Sequence, residues 1–235
     1  MARGVQLTQL VDDLRAETGR DSSVAAGRNE LHSLKQRLAR AQRTLYAAYD
    51  WPFLRVQATI PLQAGERYYD WPEEIDKDRL QEMQVKWNST WYPVCRGISA
   101  DDYNSYDSAA DERNDPAQKW DIRTTGATLA TQVEQIEVWP VPASNDAVLH
   151  LWGLRPLKAL TSDSDVCDLD SDLIVLSLAA KMLGRQKSAD APLVQKQADD
   201  LWKKLTGNSQ GGSGNISMRG GASAQKYVGT IIRVA

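Results

Sequence analysis

Between residues 31 and 52 the chain reads LHSLKQRLARAQRTLYAAYDWP, and the rest of the fold is read outward from this stretch. Leu31, Leu34, Leu38, Ala41, Leu45 and Ala48 recur at alternating steps of three and four, so they draw one apolar stripe along a helix of about five turns. The spacing predicts a helix from about Arg28 that stops before Trp51 and Pro52, because proline pushes its predecessor out of the helical region. Toward the N-terminus, Leu7, Leu10, Val11 and Leu14 repeat at helical spacing and Gly19 supplies a stop. Toward the C-terminus the pattern changes to short β-type runs separated by Gly, Pro, Asn and Asp clusters. The expected strands are 53–62, 67–70, 80–87, 92–98, 120–125, 133–139 and 147–154, with Ser99 capping a short helix through Tyr106. Alternations such as Gln135, Ile136, Glu137, Val138 fit antiparallel sheets with one wet face.

Two helices return after residue 168. The first, 171–183, has Asp168, Asp170 and Asp172 at its positive dipole end and Gly184 after its last apolar residue. Its Leu173, Ile174, Val175, Leu176, Leu178 and Met182 leave little polar surface, which predicts the buried centre of the helical layer. The second starts near Pro192, carries Val194, Ala198, Leu201 and Leu205 on one stripe, and stops at Gly207. The expected fold class is therefore α+β. Two N-terminal helices (1–52) and two C-terminal helices (169–206) form a bundle, an antiparallel β lobe with a short helix (53–168) is inserted between them, and an extended arm follows (207–235).

The arm differs in composition. Its 29 residues hold seven of the 15 glycines, so 207–221 reads as a flexible linker that cannot offset its own ordering entropy. Tyr227, Val228, Ile231, Ile232 and Val234 then form a β-prone apolar tip, an aggregation hazard unless something receives it. Fully extended, the arm would reach on the order of 95 Å at ~3.3 Å per residue. The whole chain carries −3 and the arm carries +3 from Arg219, Lys226 and Arg233, which leaves −6 on residues 1–206. An acidic body lacks the net basic surface of a general nucleic-acid binder. A basic arm on an acidic body suits docking.

No apolar run approaches the ~20 residues of a bilayer span, and Asp12, Asp13 and Arg15 interrupt the N-terminal stretch, so neither a membrane segment nor a secretory signal is expected. Cys95 and Cys167 have no CxxC or framework spacing, which points to a reducing compartment. The sequence contains no nucleophile elbow, phosphate-cradling loop or H-E-x-x-H pair. His32 and His150 read as a surface and a packed residue, so neither an enzyme nor a cofactor is expected. Asp163, Asp165, Asp168, Asp170 and Asp172 could chelate a divalent cation, but the glycine and distal glutamate of a calcium loop are missing, and helix capping accounts for them better. Arg28, Lys35, Arg37, Arg40 and Arg43 could track phosphates from one helix; a solvated helix face is the simpler account. Of the eight tryptophans, Trp51, Trp71 and Trp139 each precede proline, and they are expected to pack the lobe against the bundle.

Residues 45–54 (LYAAYDWPFL), 68–72 (YYDWP), 136–142 (IEVWPVP) and 151–156 (LWGLRP), with the helix after Asp165, together resemble phage head-to-tail adaptor proteins. These are head-completion proteins related to tail tubular protein A of short-tailed phages, and the resemblance covers about residues 5–206. It implies a ring of about twelve copies, closed by heterologous contacts, that docks under the portal protein, extends the DNA channel and offers a platform to a tail or nozzle protein. It further implies a virion component at the head–tail junction, present in the host cytoplasm during assembly, with genome DNA passing through without sequence-specific binding. In related adaptors a C-terminal segment grips the portal, which carries that role to Tyr227, Val228, Ile231, Ile232 and Arg233; the long glycine-rich linker departs from the family pattern, and the arm could embrace a neighbouring adaptor instead. The alternatives are a DNA-binding accessory protein using the basic helix 28–43, with contacts at Arg37, Arg40 and Arg43, and a metal-dependent phosphate enzyme built on Asp163–Asp172.

Overall fold

The computed structural model describes residues 3–19, 28–106, 112–126 and 132–209, and within them five helices and eight strands follow in the order α, α, five strands, a short helix, three strands, α, α. Helix α1 (Leu7–Glu17) buries Leu7, Leu10, Val11 and Leu14. Its first turn is satisfied from far along the chain: Leu7 N–H donates to the Asp165 carbonyl at 2.8 Å and the Thr8 hydroxyl to the Asp163 carbonyl at 3.0 Å. Helix α2 (Arg28–Ala48) buries Leu34, Leu38 and Ala41 on the predicted stripe, while Leu31 and Leu45 are half-buried and Ala48 is exposed.

Helix α4 (Ser171–Arg185) is capped by Asp170, whose carboxylate accepts from Leu173 N–H at 3.1 Å. It packs against α1, α2 and α5 (Ala191–Ser209). The predicted glycine stops come slightly early at both C-terminal helices, since α4 runs to Arg185 with Lys187 taking the left-handed φ of +55° and α5 continues through Gly207 to Ser209. One apolar core joins these four helices and includes Trp51, Leu54 and Leu154 at the root of the lobe.

The lobe holds two four-stranded sheets. Strands β1 (Arg55–Pro61), β8 (Val148–Leu154), β3 (Leu80–Trp87) and β4 (Thr90–Pro93) form an antiparallel sheet in that order. The second sheet runs β2 (Tyr68–Asp70), β7 (Val133–Trp139), β6 (Lys119–Thr125), β5 (Cys95–Arg96), and β5 lies parallel to β6. This corrects the expectation of a purely antiparallel lobe. The predicted single strand 92–98 is two strands, because the chain changes sheets at buried Val94: Val94 N–H donates to Met83 in one sheet at 3.2 Å and Cys95 N–H to Gln118 beside the other at 2.9 Å. Likewise β1 begins two residues late, since residues Pro52–Leu54 close a 3₁₀ turn through Leu54 N–H to Trp51 C=O at 2.9 Å.

The proline-linked tryptophans divide between the layers, which corrects a second expectation. Only Trp51 sits in the helical core, edge-on to Tyr49 and Trp202 at 5.2 and 5.6 Å, with its indole N–H donating to Leu45 C=O at 3.1 Å. Trp71 packs on Trp120, and Trp139 packs on Tyr103 of the short helix α3 (Ala100–Ser105), both inside the lobe. Beside Leu54 and Leu154, polar groups join lobe and helices. The Tyr46 hydroxyl donates to the Asp76 carboxylate at 2.7 Å and the Arg155 carbonyl at 3.2 Å, and Arg79 donates to Asp50 and to the Tyr46 carbonyl, each at 2.7 Å. Burial and then the Asp76 carboxylate push the Tyr46 phenol well above its ordinary range, so it acts as a fixed donor.

Inside the lobe one carboxylate is fully buried. Glu137 on β7 accepts from Arg67 Nε at 2.6 Å, Arg123 Nε at 2.7 Å and the Tyr103 hydroxyl at 2.9 and 3.0 Å. These bonds tie α3 to the second sheet, and Ser99 and Asp102 complete the capping box that starts α3.

Candidate functional site: a cationic groove between two helices

Arg37 and Arg40 of α2 face Lys181 and Arg185 of α4 across a groove of ≈ 440 Å³. Spacings of three and four put each pair on one side of its helix. Ala41, Leu178 and Met182 form a buried apolar floor. None of the four cations forms an ion pair among the described residues, although cations elsewhere on the surface do, as in Lys35 with Asp163 and Arg79 with Asp50. Four like charges over an apolar floor attract an anion more strongly than the same charges over open water, because the floor removes competing solvent. Two guanidinium groups suit carboxylate or phosphate oxygens, which they can bind two at a time.

The residues expected to contact DNA do not all meet. Arg37 and Arg40 share this groove, whereas Arg43 lies in a smaller one of ≈ 260 Å³ with Lys158, Leu157 and Leu160. Lys181 and Arg185 were hidden by the apolar richness of α4, although they are its only two cations and stand one turn apart.

The acidic run is dispersed by its hydrogen bonds. Asp163 pairs with Lys35; Asp165 accepts from the Ser162 and Thr161 amides at 2.6 and 2.7 Å, which hold its carboxyl below the ordinary range; Asp168 binds Arg155 at 2.5 Å and the Lys158 amide at 2.7 Å; Asp170 caps α4. Buried Gln42 draws the same segment to α2, donating to Lys158 C=O at 3.2 Å and accepting from Asp168 N–H at 3.1 Å. Among the described residues no three metal-ligating side chains converge. His32 bonds exposed Gln36, and His150 stacks on Trp152 and meets Trp91 edge-on on the open face of the first sheet.

Across both layers and the groove, residues 5–217 match the family model of the SU10 adaptor protein. The chain belongs to the SU10 adaptor protein family. No curated protein matches it. Membership makes this a phage adaptor protein, and an adaptor family implies a virion component at the head–tail junction that meets portal and tail proteins. All four groove cations fall within the SU10 adaptor match. The arm residues Tyr227, Val228, Ile231, Ile232 and Arg233 lie beyond it and outside the described residues. No described helix is long and apolar enough to cross a membrane.

Proposed function

We propose that the chain is a structural subunit of a phage head-to-tail connector, akin to tail tubular protein A, in which about twelve copies close a ring through heterologous contacts. The helices of 1–52 and 169–206 form the bundle that serves as the ring body, and the lobe of 53–168 projects from it. The ring docks under the portal, prolongs the DNA channel and presents a platform for the tail. Adaptor-family membership over residues 5–217 is the observation that carries this reading. Its mechanism is passive: a body of net charge −6 repels DNA phosphates and lets the genome slide, with no substrate transformed and no cofactor required. The arm, 207–235, reaches the portal and adds a strand through Tyr227, Val228, Ile231, Ile232 and Arg233.

Negative-stain microscopy of the full chain, alone and with portal protein, tests the proposal. Rings are expected in at least one preparation, and dispersed monomers in both overturn it. Removing residues 221–235 should leave a folded body and abolish portal attachment; unimpaired attachment removes the arm from the mechanism.

The unpaired cations support a second reading, in which Arg37 and Arg40, with Arg43 on the other flank, touch the DNA backbone. It requires duplex affinity that falls steeply with salt and is lost in Arg37→Gln/Arg40→Gln.

A further inference from the structure

Helix α4 carries opposite charge on opposite sides. Asp172 and Lys181 are nine positions apart, as are Leu176 and Arg185, and nine residues make about two and a half turns, with about 13 Å of rise. Each pair therefore points to opposite sides of the helix. On the Asp172 side, α4 meets α1 and α5 over a second groove of ≈ 540 Å³, rimmed by Asp13, Glu17 and Asp172 above Val175, Leu176 and Leu201. These three rim acids form no ion pair among the described residues, while neighbouring Asp12 is taken by Arg15 at 3.8 Å. Partial burial, then the charges of Asp172 and Asp12, push the Asp13 carboxyl above its ordinary range, the sign of acids crowded without a counter-cation. Leu193, 60% exposed, stands one turn before Gln197 of the same groove.

Three unneutralised acids over an apolar floor thus lie across α4 from four unneutralised cations over an apolar floor. Two different, complementary patches on opposite sides of one element are what a head-to-tail contact between identical subunits requires; a two-fold contact would need one self-complementary patch. We infer that the Asp13, Glu17 and Asp172 groove of one copy seats on the Arg37, Arg40, Lys181 and Arg185 groove of the next, so that α4 is clamped between two neighbours. This seam rests on the ring reading above and identifies the surfaces that close the ring. The occupant is a second copy because the chain itself presents the matching carboxylates with exposed Leu193 beside them, whereas its net acidic body disfavours a polyanion.

The test uses the full chain, with two charge-reversed variants at exposed positions, K181E/R185E and D13K/D172K. Sedimentation velocity over a concentration series is expected to show wild-type assemblies at about 0.05 M salt that weaken at about 0.5 M, where screening is short-ranged. Each variant alone should remain monomeric and keep a cooperative circular-dichroism melt, moved in D13K/D172K only by the relief of crowding at Asp13 and the loss of the Asp172 carboxylate from the first turn of α4. Mixed one to one, they should recover association as heterodimers, because the unaltered acidic groove of one meets the unaltered cationic groove of the other, while the two altered faces carry no matching charge. Folded variants that assemble like wild type, or a mixture that fails to recover, overturn the seam while leaving the ring reading standing. A wild type that stays monomeric throughout, with and without portal, removes both. Duplex DNA binding that disappears in K181E/R185E while assembly is unchanged assigns the cations to DNA and likewise overturns the seam.

Discussion

Arg67 and Arg123 converge on one buried carboxylate, whereas Arg37, Arg40, Lys181 and Arg185 converge on none. In the first region the fold has already used the charge: removing water from Glu137 is tolerated only because two guanidinium groups and a phenol replace that water. In the second, no carboxylate among the described residues consumes the charge, so it stays available to another partner. Residue type does not separate the two sets of arginines. What separates them is whether the fold supplies the counter-charge.

This contrast is broken most severely at Glu137. Glu137→Ala should lower the unfolding free energy by about 3 kcal/mol in urea titrations, since it strands two cations, although their partial exposure keeps the loss at the low end for buried pairs. Gln42→Ala comes next, at about 2 kcal/mol by the same measurement, because it leaves the buried Asp168 amide and the partly buried Lys158 carbonyl without this partner. In the groove, Arg37→Gln/Arg40→Gln should change stability by less than about 0.5 kcal/mol, as expected where a side chain forms no ion pair among the described residues. A loss comparable to that at Glu137 would mean the groove arginines are structural after all.

The smallest effect carries an informative sign. Because the folded Asp13 carboxyl is raised, its ionised form is disfavoured in the folded state, a penalty present at neutral pH and relieved as pH falls below the carboxylate range. Asp13→Asn should therefore raise the melting temperature slightly at pH 7, and the gain should vanish in acid. A lower melting temperature at pH 7 would show that Asp13 has a counter-cation in the isolated chain.

Helical periodicity made the four long helices legible, and the Ser99 and Asp170 caps fixed the starts of α3 and α4, because these signals are local. The separation of Arg43 from Arg37 could also be read, since six positions are about 1.7 turns. What escaped was set by distant contacts. Nothing around Val94 announces a change of sheet, and the partners of Trp71 and Trp139 come from α3 and β6. Lys181 and Arg185 were obscured because a helix's apolar content reports how much of it is buried but not which edge its neighbours leave open.

The lobe enters and leaves the helical layer on adjacent strands: Arg55 on β1 sits opposite Leu154 on β8, and Arg155 N–H donates to Leu54 C=O at 2.9 Å. A unit held by a paired stem of this kind is a cassette. Its sheets can diverge, be shortened or be exchanged without disturbing the helical layer that carries it, so long as the stem keeps its register.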